Sequence, residues 1–387
     1  MRVLHICGGY YGSTVYRNLH HELLLQGVDS IFFVPTENRD TDRDEEAGVV
    51  QAKCFNRIDR FFFFHKQRKI LSAIKGRMEG DSPDLLHAHF LFTAGYACLQ
   101  IKRTYNVPYI VAVRNTDVNL FLRYLIHLRR TGIQIMLDAE RIVFISPAYR
   151  NFVVDQYIPG EYRNVILEKS VVVPNGVGEF WLSHSTARNK SSDSRELHLI
   201  TVGAINRNKN QLMVARAAGL MNSRGYRVTY TVVGQIEDEG IYRALMKHDF
   251  VRYIGRCPQE ELIGYYRGAD IMVMPSIAET FGLVYAEAMS QGLPVIYTRG
   301  QGFDEQFEEG AVGYSVNSLD SEEIAKAIIS INDSYEIISR RCVSRACTFS
   351  WERIAHAYTE MYEAIAEGTG KHLGSREVHQ QSLEGRK

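Results

Sequence analysis

Short apolar strands alternate with amphipathic helices along this chain, and the alternation stops and restarts once. RVLHIC (2–7), SIFFVP (30–35), DLLHAHF (84–90), YIVAVR (109–114) and RIVFIS (141–146) are compact apolar runs. Helical spacing lies between them, as in TVYRNLHHELLLQG, which ends at Gly27. Buried strands that alternate with amphipathic helices predict a parallel sheet covered on both faces. The pattern ends at VVVPNGV (171–177), and SHSTARNKSSDSRE (183–196) has the composition of a linker. It then resumes with HLITVGA (198–204), a helix from about Gln211, VTYTVVG (228–234), VRYIG (251–255), DIMVMPS (270–276) and PVIYT (294–298). A chain of 387 residues also exceeds the usual size of a single core. The fold expected is therefore α/β, with two Rossmann-like parallel-sheet domains facing across a cleft. Residues 1–182 form the first and 183–350 the second. A helix over 351–366 packs back on the first domain, and 367–387 is a polar, mobile tail.

Composition narrows the function classes. Lysine plus arginine equals aspartate plus glutamate, 45 each, so the whole chain has no charge preference for a partner. The six cysteines are scattered with no Cys-x-x-Cys pair, which predicts reduced thiols and no zinc site. The N-terminus, MRVLHICGGYYG, lacks the basic and long apolar regions of a signal peptide. No apolar run approaches the roughly 18 to 20 residues that span a bilayer. A cytoplasmic chain is expected, at most attached to the inner face of a membrane.

Ligands of open α/β sheets sit at the carboxyl ends of strands. Several chemistry-bearing stretches fall at such ends. In ETFGLVYAE (279–287), Thr280 to Leu283 are expected to open a helix, with Gly282 allowing close backbone approach. Free amides and the helix dipole there favour an anion. Glu279 before the helix and Glu287 about two turns on can accept hydrogen bonds from sugar or ribose hydroxyls. A favourable N-terminal charge and one exposed glutamate is the bland alternative. In GAINRNKN (203–210), a strand ends at Gly203 and Lys209 follows six residues on. A lysine and an arginine at a cleft neutralise a phosphate leaving group. GGYYGS (8–13) lacks the dinucleotide fingerprint, and Gly9 and Gly12 are its candidates for close approach.

Together VVVPNGV, VGAINRNKNQ, VVG and GRCPQEELIGYYRGADIMVMPSIAETFGLVYAEAMSQGLPVIYT resemble retaining glycosyltransferases of family 4, which have the GT-B fold and a Glu-x7-Glu motif. The resemblance implies that Glu279 contacts the donor sugar and Glu287 the nucleotide ribose. It implies that Lys209 holds the diphosphate, with Arg207 standing in for an arginine usual where Ala204 is found. Phe281, Gly282, Leu283, Gly203, Gly9 and Gly12 would lie along the donor. Many relatives carry histidine then glycine where Arg114 and Asn115 stand, while Asp117 matches. Arg114 then either binds a phosphate or acidic acceptor, or makes a structural ion pair. His89 of HAH (87–89) matches a pair often found near the acceptor. Read on its own, that pair is a metal pair or a hydrogen-bonded strand-end histidine.

One local charge cluster remains. Lys53 to Arg77 holds eight Lys or Arg and one acid, Asp59, around Phe61-Phe62-Phe63-Phe64. Basic residues flanking aromatics suit an anionic membrane surface. A partly buried helix with a basic outer face explains them equally. Nucleic acid is disfavoured because no matching basic stripe occurs elsewhere.

The function expected is a retaining, metal-independent glycosyltransferase without a bound cofactor. It would move a sugar from a UDP- or GDP-linked donor to a carbohydrate or lipid-linked acceptor, in bacterial-type polysaccharide or glycolipid synthesis. A catalytically inactive nucleotide-sugar-binding partner is the second reading, motivated by Ala204 and Arg114. A dinucleotide-dependent oxidoreductase is a third, weakened by the missing glycine fingerprint.

Overall fold

Two all-parallel sheets carry the chain in the computed structural model, which describes residues 1–37, 46–78, 82–188 and 194–368. The first sheet has seven strands: Arg2–Ile6 (β1), Asp29–Thr36 (β2), Val49–Lys53 (β3), Leu85–Ala88 (β4), Tyr109–Ala112 (β5), Arg141–Phe144 (β6) and Ser170–Val172 (β7). Their spatial order is β3-β2-β1-β4-β5-β6-β7. The second has six: Glu196–Val202 (β8), Arg227–Val233 (β9), Val251–Ile254 (β10), Ile271–Val273 (β11), Val295–Thr298 (β12) and Gly313–Val316 (β13). Their order is β10-β9-β8-β11-β12-β13. The expected pair of Rossmann-like domains is what the chain forms. Central strands are buried along their whole length, as in Leu85–Ala88 and Val295–Thr298. That is why they read as unbroken apolar runs.

Local signals set the helix ends. Ser13 caps the helix Thr14–Leu25, its Oγ accepting from the Val15 amide at 3.2 Å. The last helix, Trp351–Gly368, crosses back to the first sheet. Trp351, Ile354, Tyr358 and Tyr362 pack there against Val3, Leu19, Leu85 and Ile110. VVVPNGV needs its glycine for this crossing, because a Cβ on Gly176 would overlap the Trp351 ring. The expected tail lies outside the described residues beyond Gly368, and so does the middle of the expected linker. Among the described residues, no helix is long and apolar enough to cross a membrane.

Candidate functional site

Both sheets have a switch point. β1 lies between β2 and β4, and β8 lies between β9 and β11. Strand order reverses there, so the loops at the carboxyl ends diverge and leave a crevice. Those loops are 8–13 and 89–94 in the first domain, and 203–210 and 274–282 in the second. Three of them line one cleft, and the fourth, 203–210, is tied to 274–282. Ser13, Tyr16, Phe90, Arg114, Asn115 and Asn175 line the cleft from one side and Thr280 from the other. Its volume of about 190 Å³ is below the ~300–1,000 Å³ of typical ligand pockets, so in this form it holds only part of a ligand.

On the second-domain side, asparagines stitch two loops together. Asn208 Nδ2 donates to the Ala278 carbonyl at 2.9 Å, and its Oδ1 accepts from the Ala278 amide at 3.0 Å. Asn210, in the left-handed region at φ 57°, donates to the carbonyls of Pro275 and Ser318. Asn206 Oδ1 accepts from the Lys209 amide at 2.9 Å. This lacing aims Lys209 across the gap, where Nζ meets Glu279 Oε2 at 2.6 Å. The lysine stem passes over Gly203, about 3.6 Å from where a Cβ would lie. Arg207 is exposed on the same turn and joins neither Lys209 nor Glu279. Gln301 completes the frame: its Oε1 accepts from the Glu279 amide at 3.0 Å, and the Gly302 amide donates to the Glu279 carbonyl at 2.8 Å. The Asn-rich turn was a readable signal for this lacing; nothing local in the sequence points to Gln301 or Gly302.

The helix begins later than the sequence suggests. It spans Leu283–Ser290, and Gly282 is its N-cap at φ 78°. Thr280 and Phe281 belong to the turn before it, because the left-handed Gly282 breaks helical geometry. The Phe281 ring is buried against Phe303 and Phe349, so only its backbone is placed to serve a ligand. The first amides of the helix still lack intrahelical partners.

Glu287 lies on this helix, with Oε2 3.3 Å from the Tyr266 hydroxyl. Burial pushes its carboxyl up from 4.5 to about 7, against the lowering effect of the Tyr266 hydrogen bond. The folded chain thus keeps a proton that the unfolded chain releases near 4.5. Glu287 therefore costs stability progressively as pH rises from about 4.5 through 7. Hydroxyl donors of a bound ligand would favour the ionised form and expel the proton. Binding of such a ligand at pH 7 should then release protons, seen as a buffer-dependent calorimetric enthalpy. Glu287→Gln should remove that dependence, and its persistence in the variant would assign the proton to another group.

The first-domain candidates divide. Gly9 and Gly12 flank a tight 3-10 turn, with the Gly12 amide on the Gly9 carbonyl. A Cβ on Gly9 would press the Phe90 ring at 3.1 Å, whereas nothing lies within 4 Å of one on Gly12. Arg114 reaches the cleft. Asp117 does not: it is 1% exposed, and its oxygens accept from the amides of Leu91, Phe92 and Arg114 at 3.0–3.1 Å. It fixes the loops after β4 and β5, and burial raises its carboxyl to about 6. His89 is also withdrawn from the cleft, fully buried, with Nε2 3.0 Å from His5 Nδ1. His87 Nδ1 meets the Tyr362 hydroxyl at 2.7 Å. The sequence reading of HAH omitted His5, which β1 places opposite His87. The ring nitrogens of the three lie within 4.8 Å of one another. Burial holds all three well below the usual histidine range. His5 bonds His89 and His87 bonds Tyr362 of the last helix, while the other ring nitrogen of each histidine is buried without a partner among the described residues.

Comparison with known proteins agrees with this geometry. Residues 12–178 match the model "Glycosyltransferase Family 4", and residues 185–346 match "Glycosyl transferases group 1". The chain is 27% identical over 314 residues to a D-inositol 3-phosphate glycosyltransferase of Paenarthrobacter aurescens, covering 74% of each chain. Sucrose-phosphate synthase from Thermosynechococcus elongatus superposes with a TM-score of 0.71 at 19% identity, over 95% of this chain and 100% of that one. HepE of Anabaena, in complex with UDP-glucose, does so with a TM-score of 0.63 at 15% identity, over 94% and 100%. The chain belongs to the family 4 glycosyltransferases and has their two-domain GT-B fold.

Proposed function

We propose that this glycosyltransferase takes a sugar from a nucleotide-sugar donor, UDP- or GDP-linked, and transfers it with retention to an acceptor hydroxyl. The observation that carries the reading is the Lys209–Glu279 pair beside the Gly282 turn, next in the chain to Thr280, which lines the cleft opposite Ser13 and Arg114. Lys209, with Arg207 exposed on the same turn and the amides from Phe281 to Leu283, would take up charge developing on the leaving diphosphate. Glu279 would hold the transferred sugar and Glu287 the ribose. No covalent nucleophile is assigned. The leaving diphosphate oxygen would instead accept the proton of an acceptor attacking from the same face. The UDP-glucose seen in HepE supports the donor class. The test is a panel of UDP- and GDP-linked sugars scored for release of nucleoside diphosphate. Turnover of one donor is expected. Binding without turnover would favour the inactive-partner reading, and neither binding nor turnover would sink both.

The acceptor is proposed to be carbohydrate or lipid-linked, delivered at an anionic membrane surface in polysaccharide or glycolipid synthesis. Of the four phenylalanines only Phe63 packs inward, against Phe92, Tyr96 and Phe121. Phe61 is 85% exposed, and Ile58, Phe62 and Phe64 are exposed beside it. Through Phe121 this patch adjoins a second segment that the sequence reading missed, where Leu120, Tyr124 and Ile126 are exposed too. Arg57, Arg68, Arg123 and Arg130 are exposed among them. The acids of the two segments, Asp59 and Asp117, are both buried. Asn115 and Thr116 of the same second segment line the cleft, so an acceptor head group standing on such a surface lies beside it. Full burial of a phenylalanine contributes ~1.5–3 kcal/mol. Changing Phe61, Phe62 and Phe64 to serine should therefore weaken sedimentation with anionic liposomes by at least about tenfold. Unchanged sedimentation would remove the membrane from the proposal.

A further inference from the structure

Arg114 is a buried positive charge that makes no ion pair among the described residues, although the carboxyl of Asp117 lies near enough to feel it. It stands two residues beyond β5, is 8% exposed, and lines the cleft. Its Nη1 donates to Asn175 Oδ1 at 2.9 Å, and the Tyr358 hydroxyl shares a hydrogen bond with it. Both partners are neutral. Its Nε is buried with no partner. The acid nearest in sequence, Asp117, accepts the Arg114 backbone amide, and its two oxygens are occupied by three amides in all. The neighbouring histidines His87 and His89 are held neutral. Among the described residues, Arg114 has no ion pair, so the structural salt bridge open to it on sequence grounds is not made.

A guanidinium cannot shed its charge, and burying one unpaired is costly. Such a group is retained where a ligand supplies the counter-charge. Its planar fork matches carboxylate or phosphate oxygens two at a time. Ser13, Asn115 and Thr116 line the same cleft and add neutral donors. The opposite wall is Thr280, the residue after Glu279. An anion on Arg114 would therefore sit across the cleft from the turn that carries Glu279.

We propose that Arg114 binds a phosphate or carboxylate carried by the acceptor or by the transferred sugar, so that one of the two substrates is an acidic sugar or a sugar phosphate. This rests on the cleft being the transfer site. A neutral substrate would leave the guanidinium without an ion-pair partner, and discrimination against it follows from the same cost.

The experiment uses the full chain as wild type, Arg114→Gln and Arg114→Lys, with thermal unfolding to confirm that each is folded. UDP and GDP titrations report the transfer-site reading by themselves. Two pairs of probes then report Arg114: UDP-glucuronate against UDP-glucose on the free chain, and glucose 6-phosphate against glucose on the UDP-loaded chain. In one pair, wild type should prefer the anion at least tenfold. Arg114→Gln should lose the preference, and Arg114→Lys should keep part of it, with UDP affinity unchanged throughout. Preference in the first pair places the anion on the donor sugar, and preference in the second places it on the acceptor. No preference in either pair, or preference that survives in Arg114→Gln, overturns the proposal. If neither UDP nor GDP binds, the transfer reading falls. Inorganic phosphate then still decides Arg114: binding to wild type but not to Arg114→Gln upholds the anion site, and equal binding or none rejects it.

Discussion

Replacing Lys209 by alanine is expected to cut sugar transfer by about 10²–10³-fold, the range for removing one preorganised charge partner of a transition state. Glu279→Ala should cost a comparable factor for a different reason. The two side chains meet at 2.6 Å and are only 23% and 13% exposed. In the free enzyme each therefore balances the other. Removing the lysine leaves a largely buried carboxylate beside the seat for a diphosphate, so donor KM should rise along with the fall in kcat. On the proposed roles, removing the glutamate would leave the lysine free to hold a diphosphate but take a hydrogen-bond acceptor from the transferred sugar, so the fall should appear mainly in kcat. Because the residues act as a pair, the double variant should lose little more than the worse single one. Glu279→Gln separates the parts, keeping a hydrogen-bonding side chain while deleting its charge. Donor hydrolysis and transfer at saturating and limiting donor are the measurements. Wild-type kinetics in both alanine variants would show that the chemistry lies elsewhere.

The sequence was most legible where one strand or turn carries its own signal. Apolar runs buried on both faces announced the central strands, and the 279–287 stretch contributes Thr280 to the cleft wall. Of the four edge strands among the described residues, Val251–Ile254 was read and the other three were not. Val49–Lys53 and Ser170–Val172 are only partly buried, so they lack the apolar run that betrays a central strand. Gly313–Val316 is short and starts on a glycine whose Cβ would overlap the Val295 backbone. A residue that looks like a loop former is thus required for strand pairing. The roles of Asp117, His89 and Arg114 depend on what sits next to them from distant chain segments. Asp117 looked like a ligand group because it matches the family pattern, yet amides 25 and 26 residues away consume it. His89 matched a pair near the acceptor, yet His5, Tyr16 and Phe32 enclose it. Arg114 looked equally like an ion pair, and only the structure removes the partner.

Gly302→Ala should be nearly as damaging as the loss of Lys209, although the residue touches no expected substrate. A Cβ there would overlap the carbonyl of Thr280 and come within 2.5 Å of the Phe281 nitrogen. These are backbone atoms, which cannot swing aside as a side chain does. The loop and the 279–282 turn must then part, and with them the Gly302–Glu279 and Gln301–Glu279 hydrogen bonds that hold Glu279 toward Lys209. A displacement of about 1 Å at a reacting group can cost ~10²-fold, so kcat/KM should fall by about that factor. Gly12→Ala is the matched control, since nothing in the protein lies within 4 Å of its added methyl. Its thermal midpoint should equal that of wild type. Any loss of donor or acceptor affinity in Gly12→Ala then reports a ligand passing that turn, because the protein itself gives no reason for it. Wild-type kcat/KM in Gly302→Ala would mean that the Glu279 turn holds its shape without the loop. Gln301 would then have no part in placing the carboxylate.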